Sequence, residues 1–488
     1  MITHADLPRE LNLATWFVDR NVEEARGGRT ALIDARGPVT YAELAALVNR
    51  CGHLLRELGV RAQDRVLLVL GDSVELVALW YGAQKIGAVT AEAYTFLQPK
   101  DYAYYLEYTD AAVVVADETT ETAIRQVASE REVLVVDEAF RERLEQQSDE
   151  LEPAPTTKDD LALWKFTTGS TGQPKGAVHP VHSPVLSHDW YARGVLGIRE
   201  DDLVLSVPKL FFGYARDLTA LYPFGVGGAG IVFPERTTPD RIFELIAEHR
   251  PTILVNVPTM MAQMINHPDA ASQDLSCLRL CTSAGEALPR ELHDRWLDTF
   301  GIEVLDGIGS SELYHIYISN RPGQVRPGST GQLVPGYEAE LDENGELLVT
   351  GDTAALLYWD DEEKTKHTFS GDTVRTGDLF ERDDEGFFWY RGRVDDLIKV
   401  GGMWVAPAEI EHCLVGHPDV VECAVVGAQQ NGLTLPRAYV VPRAPLEVQA
   451  VQDFVRERLS PHKYPREVLF VEELPKTPSG KIDRKALR

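Results

Sequence analysis

Residues 166 to 180, "FTTGSTGQPKGAVHP", gather glycines, threonines, a serine and a single lysine into a stretch whose composition fits neither a regular helix nor a regular strand. Glycines let backbone N–H groups close around an anion, and hydroxyls with one ammonium add donors, so the segment reads as a loop that wraps phosphate. It is not a Walker A loop: position 174 is proline, and Lys175 is followed by Gly176 where that motif needs serine or threonine. A flexible connector is the plain alternative for such a composition. The apolar run "LALWKF" just before it favours a ligand, because it reads as a buried strand and loops at strand ends of α/β sheets are where ligands sit.

The elements that must hold such a loop are visible on both sides of it. Strand-like "RVLLVLG", "AAVVVAD" and "TILVNVP" alternate with helical "SVELVALWYGAQKIGAV" and "TMMAQMINH", which predicts an α/β fold with mostly parallel strands. From about Leu333 the texture changes to short strands and turns, as in "GELLVTGD" and "GFFWYRGR", and after Arg393 a compact block begins at "VDDLIKVGGMWVAPAEIEHCL". A second glycine-rich stretch, "GVGGAG" at 225 to 230, matches G-x-G-x-x-G but leads into strand-like "IVFPE" where a dinucleotide site needs a helix, so close strand packing is its expected role.

The chain's 488 residues are too many for one core and predict two or more domains. A formal net charge of −28 argues against nucleic acid or anionic membrane as a partner. No run approaches a membrane span and the start lacks the features of a signal peptide, which predicts a cytoplasmic protein. Five cysteines fit reduced thiols, with Cys277 and Cys281 read as core residues.

Five segments occur in a fixed order: "FTTGSTGQPKG", "DGIGSSELYHIYISN", "RTGDLF", "YRGRVDDLIKVGG" and "PKTPSGKIDRKALR". In identity and spacing they resemble the adenylate-forming superfamily of acyl-CoA ligases and adenylation domains, over nearly the whole chain. The opening "NLATWFVDRNVEEARGGRTALID" and the "KLFFGYA" and "YHIYISNRPG" segments are most similar to benzoate-CoA ligases and their aryl-acid relatives. The resemblance implies a large, multi-subdomain N-terminal domain over residues 1–394 and a small, mobile α+β domain over residues 395–488. It also implies ATP, Mg2+ and coenzyme A as cofactors or cosubstrates, and a small aryl carboxylic acid as substrate. The alternative acceptor is the phosphopantetheine thiol of a carrier protein; no carrier domain follows Arg488, so a free-standing enzyme is expected, as monomer or homodimer.

In such chemistry a carboxylate attacks the α-phosphate of ATP, pyrophosphate leaves, and the acyl adenylate passes to a thiol. An anion must meet a polyanion, so charge has to be neutralised and the in-line geometry held. By resemblance Thr167, Thr168, Ser170, Thr171 and Lys175 embrace the β- and γ-phosphates; Ser311 touches the α-phosphate; Glu312 helps hold Mg2+, a hard cation that suits carboxylate oxygen. Asp378 is the expected partner of the ribose hydroxyls, Arg393 adds a donor to ribose or phosphate, and Gly285, Glu286, Asp306 and Gly307 lie along adenine. Lys481 is the expected catalytic lysine, reaching carboxylate and α-phosphate as charge passes between them. Asp395 is the implied hinge for a rotation of the small domain that carries Lys399, Gly401 and Gly402 to the site for thioester formation.

The acyl pocket is implied at Phe211, Phe212, Tyr214, Ser283, Ala284, Gly309 and His315, whose aromatic members supply flat walls for a ring. Benzoate ligases commonly continue "FAYGLGN" where this chain has "FGYARDL", so Arg216 and Asp217 replace small or neutral residues. If the pair faces the pocket, the acid carries a polar substituent; if it faces away, nothing follows.

Overall fold

Apolar runs become the inner strands of two large sheets in the computed structural model of the protein, which describes residues 1–168, 173–400, 403–430, 433–476 and 482–487. One sheet has seven strands, with Val89–Glu92, Arg65–Val69, Val113–Asp117 and Glu132–Val136 parallel to one another beside Leu161–Thr168. Its far edge turns antiparallel through Pro174–Pro180 and Leu357–Tyr358. The other has nine strands, and its centre runs parallel through Val304–Gly309, Leu280–Ser283, Ile253–Asn256, Leu203–Ser206 and Ala229–Ile231. Buried on both faces, inner strands such as Arg65–Val69, Val113–Asp117 and Ile253–Asn256 are nearly continuous apolar runs, which is why they are legible in the sequence.

Helix Val74–Lys85 is buried at every one of its 12 positions; most of them are apolar, and Glu75, Gln84 and Lys85 are buried with polar partners in Arg36, the Ala162 carbonyl and Asp19. Ser73 caps it by accepting from Leu76 N, and neighbouring Tyr41–Glu57 starts with a reciprocal Thr40–Glu43 capping box. From Glu338 a five-stranded antiparallel sheet follows, in which Thr373–Arg382 pairs with both Glu346–Thr350 and Phe388–Arg393. A turn over Val394–Asp396 then leads into a last segment with its own core, built on Ile398, Val405, Ile410, Val425, Val440 and Val451.

The hairpin at the front of the seven-stranded sheet corrects one expectation. Phe166–Thr168 and Pro174–Pro180 are strand, not loop, and pair antiparallel with Thr167 opposite Lys175. β-branched Thr167 and Val178 suit a pleated surface. Cys281 is fully buried and Cys277 packs against the same core; all five cysteines are free thiols. Among the described residues no helix is long and apolar enough to cross a membrane.

The "GVGGAG" stretch is a packing device. A Cβ on Gly230 would lie 2.1 Å from the Thr219 carbonyl oxygen, so the strand sits against helix Gly213–Ala220 only without a side chain there. Gly230→Ala should cost about 1–3 kcal/mol of stability by overpacking, read from chemical denaturation. Lost nucleotide affinity in a variant of unchanged stability would mean that the stretch binds ligand after all.

Candidate active site

The hairpin register brings Lys175 alongside Thr167, and the lysine continues into an acidic and aromatic group from the chain around 358. Its Nζ is 2.9 Å from Asp361 Oδ2 and 5.7 Å from the centre of the Tyr358 ring. The Tyr358 hydroxyl donates to Glu312 Oε1 at 2.6 Å, so one tyrosine bridges the space between the lysine and the glutamate. Glu312 is further fixed by its backbone, which accepts from Ala355 N at 2.7 Å. The Ser311–Glu312 pair lies in a turn between strands Val304–Gly309 and Ile316–Ser319, so a helix start does not explain it. Ser311 Oγ donates to the Phe166 carbonyl at 3.4 Å. His179 Nε2 lies 2.6 Å from the Ser311 carbonyl, and burial drives the His179 pKa down to about 3, so the neutral ring donates there.

Asp378 and Arg393 are partners in the register of the antiparallel sheet and form an ion pair at 3.2 Å. Asp378 is buried, whereas the Arg393 side chain is 47% exposed. Although desolvation works against its charge, Asp378 first, then Tyr390 and Glu312, hold the Arg393 guanidinium above its ordinary value. Ser311, Glu312, Tyr358, Lys175, Asp378 and Arg393 thus form one neighbourhood beside the end of strand Leu161–Thr168.

A second wall comes from the nine-stranded sheet. Ser283 and Asp306 are register partners; Ala284 follows, buried, and Gly285 takes φ +87° in the turn. Glu286 accepts from Thr259 N at 3.1 Å and Thr259 Oγ1 at 2.8 Å, which fixes that turn. Burial pushes the Asp306 carboxyl well above its usual range. Gly307 and Gly309 are required by the hairpin itself, since a Cβ would lie 2.7 Å from the Ile318 carbonyl oxygen at the first and 2.5 Å from that of His315 at the second.

The aromatic positions gather at one place. Phe211 and Phe212 pack on Tyr94 with ring centres 5.2 and 5.1 Å apart, and Phe96 beside them is 51% exposed. Deeper in, the half-buried Tyr214 bonds Thr282 through its hydroxyl at 2.7 Å and lies with its ring 5.7 Å from His315. His315 is buried, its pKa pushed down to about 3 by desolvation, and its Nε2 lies 3.3 Å from the Tyr214 carbonyl. Tyr214→Ala should lower kcat/KM for the acid by about 2 to 4 kcal/mol through lost ring burial and stacking, with KM for ATP little changed. Equal losses for both substrates would assign Tyr214 to the core.

Arg216 and Asp217 are both buried and belong to a cluster of four charges. Arg216 pairs with Asp217 at 2.8 Å and with Glu92, and its guanidinium stacks 5.0 Å from the Trp80 ring centre. On the other side Lys165 Nζ donates to Asp217 Oδ2 at 2.6 Å and to the Tyr314 carbonyl at 2.5 Å. Desolvation lowers the Lys165 pKa to about 8, while Asp217 is held at about 2 despite burial because Arg216 and Lys165 flank it. Lys165, Glu92, Tyr358 and Asp361 are site residues that sequence reasoning passed over; a lysine inside the apolar run "LALWKF" was the available signal for the first.

Ser170, Thr171, Gly401, Gly402 and Lys481 lie outside the described residues, as does the Thr168 side chain. Asp395 is exposed in its turn, and Lys399 is exposed with Nζ 5.3 Å from the centre of the Trp404 ring, itself 60% exposed. Among the described residues no contact joins Lys399 to the Glu312 neighbourhood.

Residues 18–359 match the AMP-binding enzyme family and residues 409–481 the AMP-binding enzyme C-terminal domain. The chain belongs to the AMP-binding enzyme family. Within the family it is 40% identical to the benzoate–CoA ligase of Thauera aromatica, covering 99% of this chain and 96% of that protein. It is 38% identical to the 4-hydroxybenzoate–CoA/benzoate–CoA ligase of Rhodopseudomonas palustris, over 98% of this chain and 94% of that one. Among solved structures, an anthranilate CoA ligase in complex with anthranoyl-AMP superposes with a TM-score of 0.96 at 35% identity, covering 100% and 98% of the two chains. A benzoate CoA ligase from Burkholderia xenovorans superposes at 0.92 with 40% identity, covering 98% and 100%. Mixed α/β architecture with a large N-terminal portion and a smaller C-terminal one is therefore shared by fold and by family.

Proposed function

We propose that this chain is an AMP-forming aryl-CoA ligase that activates a benzoate-type acid with ATP and transfers the acyl group to coenzyme A. The observation that carries this reading is the end-to-end similarity to benzoate–CoA ligase, joined to the half-exposed aromatic cluster beside Tyr214. The acid lies with its ring among Phe211, Phe212 and Tyr214 and its carboxylate toward the α-phosphate. Lys175 and the donors of the Thr167–Lys175 hairpin bind the phosphates that leave, and Asp378 accepts from the ribose hydroxyls, as a carboxylate can from two at once. Arg393, held charged by Asp378 and Glu312, faces the nucleotide. The acyl adenylate then yields AMP when the thiol attacks the acyl carbon.

Mg2+ fits this site. Among the described residues the one group of three His or carboxylate ligands with metal-like spacing is His4, Asp159 and His182, which does not include Glu312. A lone carboxylate at Glu312 suits an ion that keeps water and takes most of its oxygens from phosphates. When bound, it neutralises the triphosphate. Free thiols at all five cysteines and coenzyme A as the acceptor support a cytoplasmic setting. The test is AMP release across a panel of benzoates and short fatty acids, with and without coenzyme A. Benzoates should win and depend on coenzyme A; a preference for aliphatic acids would overturn the aryl reading, and turnover indifferent to coenzyme A would assign a carrier thiol.

A further inference from the structure

Lys175 and Asp361 are brought together by anchored segments on both sides. Strand Leu357–Tyr358 pairs antiparallel with the strand that carries Lys175, Tyr358 opposite Ala177, and Trp359 N donates to the Gly176 carbonyl at 2.9 Å. Tyr108 ties the two segments again, since its hydroxyl accepts from Gly176 N at 3.2 Å and donates to the Trp359 carbonyl. Asp361 then caps helix Glu362–Thr368: Oδ1 accepts from Lys364 N at 2.9 Å, and its backbone carbonyl accepts from Thr365 Oγ1 at 2.7 Å. The same Thr365 Oγ1 accepts from Tyr358 N at 3.0 Å. The other carboxylate oxygen, Oδ2, lies 2.9 Å from Lys175 Nζ. The carboxylate is thus fixed in place, whereas the flexible four-carbon stem of a lysine lets its ammonium turn.

Such a carboxylate runs against the demand of the site. A place that holds a triphosphate gains from cations, and an anion seated on its lysine cancels part of the charge that the phosphates meet. Capping does not require the charge, because serine, threonine or asparagine caps a helix as well. Burial does not require it either, since the Lys175 and Asp361 side chains are 16% and 31% exposed and both are open to water. The charge of Asp361 is directed at the lysine.

Resting on the phosphate-binding role proposed for Lys175, we propose that Asp361 is a positioning residue that limits how tightly the lysine holds pyrophosphate and so lets the leaving group go. Bound phosphate draws the ammonium away from Asp361 Oδ2, and the fixed carboxylate takes it back as pyrophosphate departs. The lysine exchanges one anion for another and is never left bare, which lowers the barrier to release and the affinity together. Asp361 makes and breaks no covalent bond. It acts through Lys175 on the binding of the leaving group, and with it on the return reaction in which pyrophosphate attacks the acyl adenylate.

The experiment measures the Kd of pyrophosphate for the full-length enzyme by titration calorimetry with Mg2+ present, and the inhibition of AMP release by pyrophosphate as a second readout. Asp361→Asn keeps the helix cap and the size of the side chain but removes the charge. Pyrophosphate should then bind ~3- to 10-fold tighter, the scale of one partly exposed charge contact, and inhibit more strongly by the same factor, with KM for the acid unchanged. Damage to the fold would act in the opposite direction. Lys175→Met should weaken pyrophosphate binding, and in that background Asp361→Asn should bring no further change. Unchanged or weaker binding in Asp361→Asn, or an equal gain with and without the lysine, overturns the role of Asp361. Pyrophosphate binding indifferent to Lys175→Met overturns the placement of Lys175 at the phosphates, and absence of AMP release with every aryl acid overturns the ligase reading; the proposal falls with either.

Discussion

Glu312→Gln should lower kcat/KM for acyl-adenylate formation by at least ~100-fold, the scale of one preorganised electrostatic contact, measured as acid-dependent exchange of pyrophosphate into ATP. The substitution keeps the shape of the side chain, and the amide oxygen can still accept from Tyr358, so the turn over Ser311–Glu312 has no reason to move. What disappears is the charge. Without it the Arg393 guanidinium loses one of the carboxylates beside it, and the triphosphate loses the carboxylate expected to share a hard cation. The residual rate should therefore rise at higher Mg2+ and saturate later than in the wild type. Unchanged exchange across the Mg2+ range would remove Glu312 from the site.

The next largest effect is expected at Lys481, in "PSGKIDRK". The residue lies outside the described part of the structure, and its motif carries the expectation. An ammonium on a short Pro-Ser-Gly-Lys segment is suited to bridge the attacking carboxylate and the α-phosphate, where charge passes from one to the other. Lys481→Ala should slow adenylation by at least ~100-fold yet convert supplied acyl adenylate to thioester at a near-normal rate. Asp395→Pro should show the converse, with adenylation largely kept and thioester formation impaired, because proline restricts the backbone between Arg393 and Ile398. Loss of both half-reactions in a folded Lys481 variant would refute the alternation of the small domain.

Central strands such as Arg65–Val69, Val113–Asp117 and Ile253–Asn256 are legible because burial on two faces makes them nearly continuous apolar runs, and no neighbour is needed to recognise them. Composition over residues 166–180 points to a loop because the glycines in that window outweigh the strand-forming residues at either end, which are Phe166–Thr168 and Pro174–Pro180. Glu312, Asp378 and Arg393 were found by motif, but their mutual contacts were not, since Asp378 and Arg393 meet only through the register of an antiparallel sheet. The cluster of four charges that includes Asp217 shows the limit most clearly. Glu92, Lys165 and Arg216 come from two strands and a helix, and only Lys165, inside an apolar run, stands out from the sequence. Only the fold makes them neighbours, and only as neighbours can they be buried.

A Cβ on Gly213 would lie 2.7 Å from Lys165 Nζ, so the space these two residues share fixes the order in which this pocket can change over evolutionary time. An alanine at 213 that appears while the lysine is present must push the ammonium off Asp217, leaving a buried carboxylate short of a partner. The same alanine is harmless once Lys165 has been replaced by an apolar residue. Descent toward an apolar pocket is therefore open in one sequence of steps and closed in the other, and after both steps a lysine can no longer return to 165. The pair acts as an epistatic ratchet, so reconstructed ancestors along such a lineage should contain glycine at 213 with an apolar 165, and never alanine at 213 with lysine.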